Sequence, residues 1–365
     1  MRDHFNVPDR YFKSHSIGCL PKQTPERLNQ HFFKNWAHRG DGSWPSWMDL
    51  VDEYREKLGT YLGVDGAQIC PQSNVSSALT KILYSLEKPG GKKTILCSEE
   101  DFPTIGFVFK QAERLGYSIR FLSGDPCDPN AWANALDDTV GWVHITHAFS
   151  NTSRLTPIQE VAQLANEAGA TSIVDIAQSA GVVPISLEEW GVDFAIGTGI
   201  KFLCCGPGAC FLYASPEMCE QAEPIDVGWF SHENPFEMDI HSFRYAASAM
   251  RFFGGTPSPA PLINAISALD LWGSIGPERV YQHIQDHLVR LASFVPESAL
   301  VSPSSKEHRG GTLVIAPDNR DALRSALERG AFAFDERRHG FRLSVHAYTP
   351  NEDIESLIET LRDAL

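Results

Sequence analysis

Two residues near the middle of the chain combine an acid and an amine at a spacing that suggests catalysis. Asp175 lies at the end of the apolar run that begins at residue 172, and Lys201 comes just after the next apolar run, at 193–197. A carboxylate can keep a pyridine nitrogen protonated, and a lysine amine can form a Schiff base with an aldehyde. Pyridoxal 5′-phosphate (PLP) needs these two groups from its protein. The pair therefore predicts PLP as the cofactor, with Asp175 and Lys201 as catalytic residues.

The pattern around this pair extends well beyond two side chains. Lys201 is followed by Gly206-Pro207-Gly208 and then by another strand-like run. The segment 172–213 resembles the PLP-site segment of the class V aminotransferase family, which includes kynureninases, cysteine desulfurases, selenocysteine lyases and isopenicillin N epimerase-like proteins. The resemblance covers the chain from about residue 12 to the C-terminus, and the motifs are most similar to those of kynureninase-like proteins.

The elements that must position these residues alternate between strand-like and helical runs. This alternation predicts an α/β fold with a mainly parallel sheet and helices on both faces, and such sheets bind ligands at the carboxyl ends of their strands. The resemblance implies the fold type I architecture of PLP-dependent transferases. We predict an N-terminal segment at 1–45, with a helix near 25–36, that packs with the small domain. A large PLP-binding domain at 46–258 and a small α+β domain at 259–365 complete the prediction.

Small hydroxyl residues precede an apolar helical run in the segment QSNVSS, at 72–77. A helix N-terminus suits a phosphate because its free N–H groups and its dipole face the anion, although a simple N-cap would explain the same residues. In the family this position holds the cofactor phosphate, so the resemblance assigns Val75 and Ser76 to it. Thr198, three residues before Lys201, is a further candidate for a phosphate-binding hydroxyl.

The resemblance also assigns residues to the cofactor ring. Phe102, in the segment EEDFPT, matches the ring-stacking phenylalanine of kynureninase-like members, and an aromatic face would fix the tilt of the ring. Taken alone, the same residue could be a core phenylalanine. Thr146 matches a residue that lines the cofactor, and Gln178 stands where relatives place His or Gln near the phenolic oxygen.

Two downstream motifs imply an active site shared between subunits. Trp229, in the segment GWFSH, would reach the phosphate region through its indole N–H, or else serve as an interface or core aromatic residue. Thr256, in a Gly-Thr-Pro turn, would contact a phosphate in the neighbouring subunit. The resemblance therefore implies a homodimer.

Other motifs imply a small-molecule amino-acid substrate. Arg342, in the segment RLSVHAY, matches the arginine that binds the substrate α-carboxylate, and a guanidinium fork suits a planar carboxylate. Ser16 matches a loop near the substrate in kynureninases, and His232 belongs to the GWFSH motif. His38, in the segment WAHRGDGSW, is a further candidate for the substrate pocket.

The chain departs from the kynureninase pattern at three polar positions. Ile105 stands where a kynureninase has aspartate, Ile200 stands where it has tyrosine, and position 178 is Gln. We expect an enzyme that acts on an α-amino acid through an external aldimine and a quinonoid, with kynureninase-like lyase or hydrolase chemistry at the side chain. The alternatives are a class V aminotransferase, a C–S lyase, an amino-acid epimerase or a non-catalytic scaffold with this fold.

Composition limits the partners and the compartment. The net charge of −15 argues against a nucleic-acid or anionic-membrane partner. No apolar run reaches transmembrane length and the N-terminus has no signal-peptide core, so we expect a cytoplasmic protein. The eight cysteines lack the paired spacing of a zinc site, which predicts no metal. Cysteine desulfurases carry their persulfide-forming cysteine in the C-terminal part of the chain, whereas no cysteine of this chain lies beyond Cys219. This difference argues against cysteine desulfurase activity by that mechanism.

Overall fold

A seven-stranded sheet forms the centre of the protein in a computed structural model, which describes residues 1–86 and 91–365. In chain order the strands are β1 (Phe5–Asn6), β2 (Leu20–Pro21), β3 (Ile69–Gln72), β4 (Thr94–Cys97), β5 (Ser118–Phe121), β6 (Val140–Thr146), β7 (Thr171–Asp175), β8 (Phe194–Thr198), β9 (Cys210–Ala214), β10 (Thr312–Ile315), β11 (Asp335–Arg337) and β12 (Gly340–Ser344). The large sheet has the order β3-β9-β8-β7-β6-β4-β5. The strands from β5 to β8 pair in parallel, which confirms the predicted mainly parallel α/β sheet.

Helices cover both faces of this sheet. The α-helices of the described residues are, in chain order, α1 (Thr24–Leu28), α2 (Asn35–Arg39), α3 (Trp44–Leu62), α4 (Val75–Leu83), α5 (Pro103–Ala112), α6 (Pro129–Ala135), α7 (Ile158–Glu167), α8 (Leu187–Trp190), α9 (Pro216–Gln221), α10 (Pro259–Ile275), α11 (Pro277–Ala292), α12 (Arg320–Arg329) and α13 (Asn351–Ala364). Successive strand residues point to opposite faces. Val143 and Val174 accordingly join the apolar core that includes α3, α7 and α10, whereas Trp142 and Ile173 join the core with α4 and α5. Within the two described ranges, no helix is both long and apolar enough to cross a bilayer.

Strand β9 runs antiparallel to both of its neighbours, β8 and β3. The connection from β8 to β9 spans residues 199–209. It is too short for the crossover of a dozen or more residues that a parallel return would need, so the chain turns back directly. Lys201 lies in this tight connection. The antiparallel direction was not predictable from the apolar runs, since a fully buried strand reads alike in either direction.

A smaller antiparallel sheet, in the order β10-β12-β11, lies in the C-terminal part of the chain. The N-terminal segment is joined to it: the Phe12 N–H donates to the Ala333 carbonyl (3.0 Å), and the Ser344 N–H donates to the Phe12 carbonyl (2.9 Å). The domain boundaries at 45 and 258 remain predictions.

The predicted helix near 25–36 is interrupted in the structure. A π-helical turn at Asn29–Lys34 separates α1 from α2. The Phe32 ring there lies 5.9 Å from the Trp47 ring and 5.7 Å from the Trp36 ring. The extra residue in a π turn rotates the following side chains, and these tertiary aromatic contacts are not visible in a local pattern.

Candidate active site

A cavity of about 260 Å³ lies where β6, β7 and β8 end. The last residues of these strands, Thr146, Asp175 and Thr198, all line it. It therefore occupies the carboxyl edge of the parallel strands, where ligands bind in open α/β sheets. It collects most of the sequence-predicted cofactor residues, namely Val75, Ser76, Phe102, Thr146, Asp175, Gln178, Thr198 and Lys201.

One end of the cavity is built from the N-terminus of α4. The Asn74 side chain caps this helix by accepting a hydrogen bond from the Ser77 N–H (2.8 Å), so the N-cap reading of the motif holds in the structure. Val75 and Ser76 form the first turn, where N–H groups have no partner within the helix. The Thr198 hydroxyl lies beside them and accepts from the Cys210 thiol (3.2 Å). This end combines hydroxyl groups with a helix N-terminus, which together suit a phosphate.

Asp175 and Lys201 lie in the interior of the cavity, where burial changes the ionisation of both. Burial raises the pKa of Asp175, while the nearby His144 and Lys201 act in the opposite direction, and the Ala177 N–H donates to its Oδ1 (2.8 Å). Burial lowers the pKa of Lys201 to about 8, against the attraction of Asp175. An amine with this pKa is partly neutral near neutral pH, which a nucleophile or a proton carrier requires.

The Phe102 ring lies close to two cationic side chains. The residue precedes α5 and is 41% exposed, so its ring is open to the cavity. The Lys201 Nζ lies 5.7 Å from the ring centroid, and the Arg337 guanidinium carbon lies 5.9 Å from it. Arg337 was not among the predicted site residues. The adjacent basic pair Arg337-Arg338 was the signal that could have identified it.

Arg342 is buried and already carries an acidic partner. Its Nε donates to Asp335 Oδ2 (2.9 Å), its Nη2 also pairs with Asp335, and its Nη1 donates to the Ser150 carbonyl (2.9 Å). Asp335 further contacts the His15 Nε2 and the Arg337 Nε, each at 3.5 Å. The neighbouring His15 and Arg342 side chains hold the pKa of Asp335 well below its usual range. The Asp335 carboxylate therefore contacts and orients both Arg337 and Arg342.

The remaining predicted residues lie outside this cavity. Ser16 and His38 are exposed, while His232 contacts the Arg244 carbonyl (2.7 Å) and Glu237 Oε2 (3.2 Å). Trp229 packs in an aromatic cluster, with its ring 5.6 Å from that of Trp44.

Thr256 lines a second cavity, of about 240 Å³, together with Ser77 and Lys81. The packing of Trp229 against Trp44 is that of a core or interface aromatic residue. The roles assigned to these residues toward a cofactor or a substrate remain predictions.

Sequence reasoning missed a buried polar group beside the cavity. Asp101 Oδ1 accepts from the Thr146 hydroxyl (2.7 Å), and Asp101 Oδ2 pairs with the His144 Nδ1 (2.9 Å). Asp101 directly precedes Phe102, and His144 stands inside an otherwise apolar strand. An ionisable residue in such a run was the available signal.

Similar proteins were found by sequence and by structure. A kynureninase from Deinococcus radiodurans is 31% identical over 327 residues, with 85% of this chain and 78% of that protein covered. A kynureninase from Pseudomonas fluorescens is 26% identical, with 90% and 83% covered.

The structure is similar to two solved structures of the enzyme C-DES. One, a complex of this cystine C–S lyase with cysteine persulfide, has a TM-score of 0.86 at 23% identity and covers 97% of each chain. The other has a TM-score of 0.89 at 22% identity and covers 100% of each chain. This likeness confirms the fold type I architecture.

The match to a family covers most of the sequence. The family model for aminotransferase class-V matches residues 11–322. Together with the 31% identity to a kynureninase, this match shows that the chain belongs to the class V aminotransferase family of PLP-dependent enzymes.

Proposed function

We propose that this PLP-dependent enzyme cleaves or hydrolyses the side chain of an α-amino acid, with chemistry of the kynureninase type. The observation that carries the proposal is that Asp175, Lys201 and Phe102 line one cavity at the strand ends. The two kynureninases to which the sequence is similar support the choice of side-chain chemistry.

The cavity offers a fitting group for each part of PLP. Val75, Ser76 and Thr198 would hold the phosphate through N–H and hydroxyl groups. Asp175 would face the ring nitrogen, and Phe102 would stack on the ring. Thr146 and Gln178 line the same cavity, and Gln178 would face the phenolic oxygen. Its amide already donates to the His15 carbonyl (3.2 Å), which fixes its orientation.

Lys201 is the group that we expect to move protons. When bound, PLP supplies an electron sink that stabilises negative charge on the substrate α-carbon. The Lys201 amine, with its pKa lowered to about 8, would hold the cofactor aldehyde before the substrate arrives. Once released, its Nζ would take the α-proton and deliver it where the product requires it.

Two arginines would bind the substrate carboxylate. Arg342 matches the family's carboxylate-binding residue, but Asp335 already occupies its Nε and one side of its fork. Arg337 is half-buried, contacts Ser150 at the cavity wall (3.4 Å) and lies over the Phe102 ring. We assign the first contact with the carboxylate to Arg337 and the buried anchor to Arg342.

C–S lyase chemistry is a second candidate because the cavity holds few acid–base groups. In the described part of the chain, its titratable lining residues are Asp175, Lys201 and Cys210, while Ile105 leaves one wall apolar. Loss of a β-substituent needs one proton carrier, whereas hydrolysis of a side-chain acyl group also needs a water activated near the β-carbon. The class V aminotransferase and epimerase alternatives have no observation that favours them, and membership in a family of PLP-dependent enzymes argues against the scaffold alternative.

A cytoplasmic homodimer is part of the proposal. The segment 225–243 exposes apolar side chains, among them Met238 (71%) and Ile240 (90%). Exposed apolar patches of this kind mark interaction surfaces. Hydroxyl groups line the Thr256 cavity and would face a partner's phosphate region. A second copy of the chain is the occupant that the resemblance implies.

The experiment that tests the function is a product analysis of the PLP-loaded protein with kynurenine, cysteine and alanine. Kynurenine cleaved to alanine and an aromatic acid supports the main proposal, whereas sulfide and pyruvate from cysteine support the second candidate. K201A is the control and should abolish either product. Full activity in K201A, or no product and no bound PLP in the wild-type protein, would contradict the proposal.

A further inference from the structure

We infer that Asp101 and His144 form a buried positioning pair that keeps the Asp175 carboxylate ionised, as its proposed role toward the ring nitrogen of the cofactor would require. The inference rests on the proposed role of Asp175 toward the ring nitrogen. It adds two residues that do not line the cavity and that would act through Asp175.

The sheet register places His144 and Asp175 on one face. Thr146 on β6 pairs with Asp175 on β7, and His144 is two residues before Thr146 on the same strand. Residues two apart on a strand, and residues paired across neighbouring strands, lie on the same side of a sheet. His144, Thr146 and Asp175 therefore share the face on which Phe109 of α5 packs against the His144 ring at 5.5 Å.

Asp101 binds two of these residues at once. Its Oδ2 accepts from the His144 Nδ1 at 2.9 Å, and its Oδ1 accepts from the Thr146 hydroxyl at 2.7 Å. The Ser98 N–H also donates to Oδ2 (3.2 Å). The His144 side chain is fully buried and that of Asp101 is nearly so. A hydrogen bond from His144 fixes its tautomer so that a proton rests on Nδ1.

The other ring nitrogen of His144 has no protein partner. Nε2 is buried and makes no hydrogen bond to any residue in the described ranges. A buried polar atom without a partner costs free energy, so a histidine at this position needs a compensating purpose. An imidazolium on the same sheet face as a second carboxylate, that of Asp175, supplies one.

The charges around the pair support this reading. Burial alone would lower the pKa of His144, but the Asp101 and Asp175 carboxylates together act against it, and the pKa is raised. The charged groups that act on His144 in the described residues are Asp101 and Asp175, and those that act on Asp175 include His144, Lys201 and Asp101. His144 thus opposes the effect of burial on Asp175, which would otherwise favour the protonated acid.

The consequence concerns where one proton resides. A neutral Asp175 would keep the proton that the ring nitrogen needs, whereas an ionised Asp175 would accept a hydrogen bond from the protonated nitrogen. The positive charge of His144 nearby would favour the ionised carboxylate and, with it, a protonated ring nitrogen. The Asp101 carboxylate in turn keeps His144 protonated.

The first test needs no cofactor. Nitrogen-15 NMR of the histidine rings in the PLP-free protein should show His144 protonated at pH 7, and D101N should make it neutral. His147 is a matched internal reference, because it is also buried, lies against Trp190, and has its pKa lowered by burial to about 3. It should be neutral in both proteins. A neutral His144 in the wild-type protein would overturn the inference.

The second test uses the PLP-loaded protein and reads binding and spectrum rather than turnover. H144Q and D101N should each weaken PLP binding about tenfold, the equivalent of one pKa unit. Each should also raise the apparent pKa of the visible band of the lysine-bound cofactor, because a less protonated ring withdraws less charge. The H144Q/D101N double variant should be no worse than H144Q alone, since the two residues act as one unit.

Matched variants separate the inference from the proposed function. D175N should change binding and spectrum in the same direction and by more, while H147Q should leave both unchanged. If D175N changes both and neither H144Q nor D101N does, the positioning pair is wrong and the proposed function stands. If D175N also leaves both unchanged, the proposed role of Asp175 is wrong and the inference falls with it.

Discussion

Gly18 lies directly against the backbone of Lys201. The Gly18 N–H donates to the Ile200 carbonyl at 2.7 Å, and a Cβ built on Gly18 would stand 2.0 Å from the Lys201 carbonyl oxygen. Only a residue without a side chain allows this approach. The N-terminal segment therefore holds the connection between β8 and β9 that carries the catalytic lysine.

G18A should displace this connection. We expect a loss of about 1–3 kcal/mol in the free energy of unfolding, the usual effect of overpacking, together with slower PLP loading. Denaturant unfolding and cofactor absorbance would measure the two effects. G42A is the control, because a Cβ there would meet only the Arg39 Cβ at 3.7 Å. Unchanged loading in G18A would show that the connection does not depend on the N-terminal segment.

K201M should change how the stability of the PLP-free protein depends on pH. The pKa of Lys201 is lowered to about 8, so between pH 8 and about 10.4 the unfolded chain binds more protons. Wild-type stability attributable to Lys201 therefore rises with pH in that window. Below pH 8 the folded protein is destabilised by the full cost of burying the charged Lys201 amine. K201M should melt higher than wild type at pH 7, with a difference that shrinks by pH 10. A difference in melting temperature between K201M and wild type that stays constant from pH 7 to pH 10 would contradict the lowered pKa of Lys201.

R337A and R342A should separate the two roles that we assign to the arginines. R337A should raise KM for the amino acid at least tenfold with little effect on folding, because the side chain is only half-buried. R342A should raise KM and also destabilise the fold, since it leaves Asp335 without its buried partner. R338A, an exposed neighbour, is the control in steady-state kinetics. Equal KM values for R337A and R338A would remove Arg337 from the substrate site.

D335N should weaken the protein in a pH-dependent way. Because the pKa of Asp335 is held well below its usual range, the carboxylate contributes stability that is complete above the unfolded value of about 3.9 and is lost as pH falls. We expect D335N to cost about 2 kcal/mol at pH 7 and progressively less below pH 4. Urea unfolding at pH 7 and pH 3 would measure this. A constant difference would mean that the ion pairs do not account for the cost.

I240E should disturb association rather than folding. Ile240 is 90% exposed, so a charge there costs little in the isolated chain but would be desolvated against a partner. We expect a smaller mass in analytical ultracentrifugation with an unchanged far-ultraviolet spectrum. A monomeric wild-type protein would remove the dimer from the proposal. V289E, at another exposed apolar residue outside the segment, controls for charge alone.

The sequence predicted the regular elements because their patterns are local. The apolar run that begins at residue 172 corresponds to β7, and the run at 193–197 corresponds to β8, each within one residue at its start. Asp175 and Lys201 were identifiable because each is a charged residue next to an apolar run. The presence of both in one cavity follows from the sheet topology.

The features that were missed depend on contacts between distant segments. Asp335 occupies the Arg342 fork through a hairpin pairing, in which Asp335 and Arg342 are register partners, and no motif announces such a pair. His144 on β6 contacts Asp101, which follows the end of β4. His38, predicted for the pocket from its motif, lies exposed on α2 and outside the cavity, and its role toward a substrate remains a prediction.

The pairing of β3 with β9 also dictates when the enzyme can be assembled during synthesis. β3 is made early, yet its partner in the large sheet ends only at Ala214, so β3 and the start of α4 lack their sheet neighbour in a nascent chain shorter than this. Such non-local pairing is slow to form. The arginines of the C-terminal hairpin and their bond to residue 150 come later still. Cofactor capture is therefore a late event, and the ribosome must release nearly the whole chain before turnover can begin.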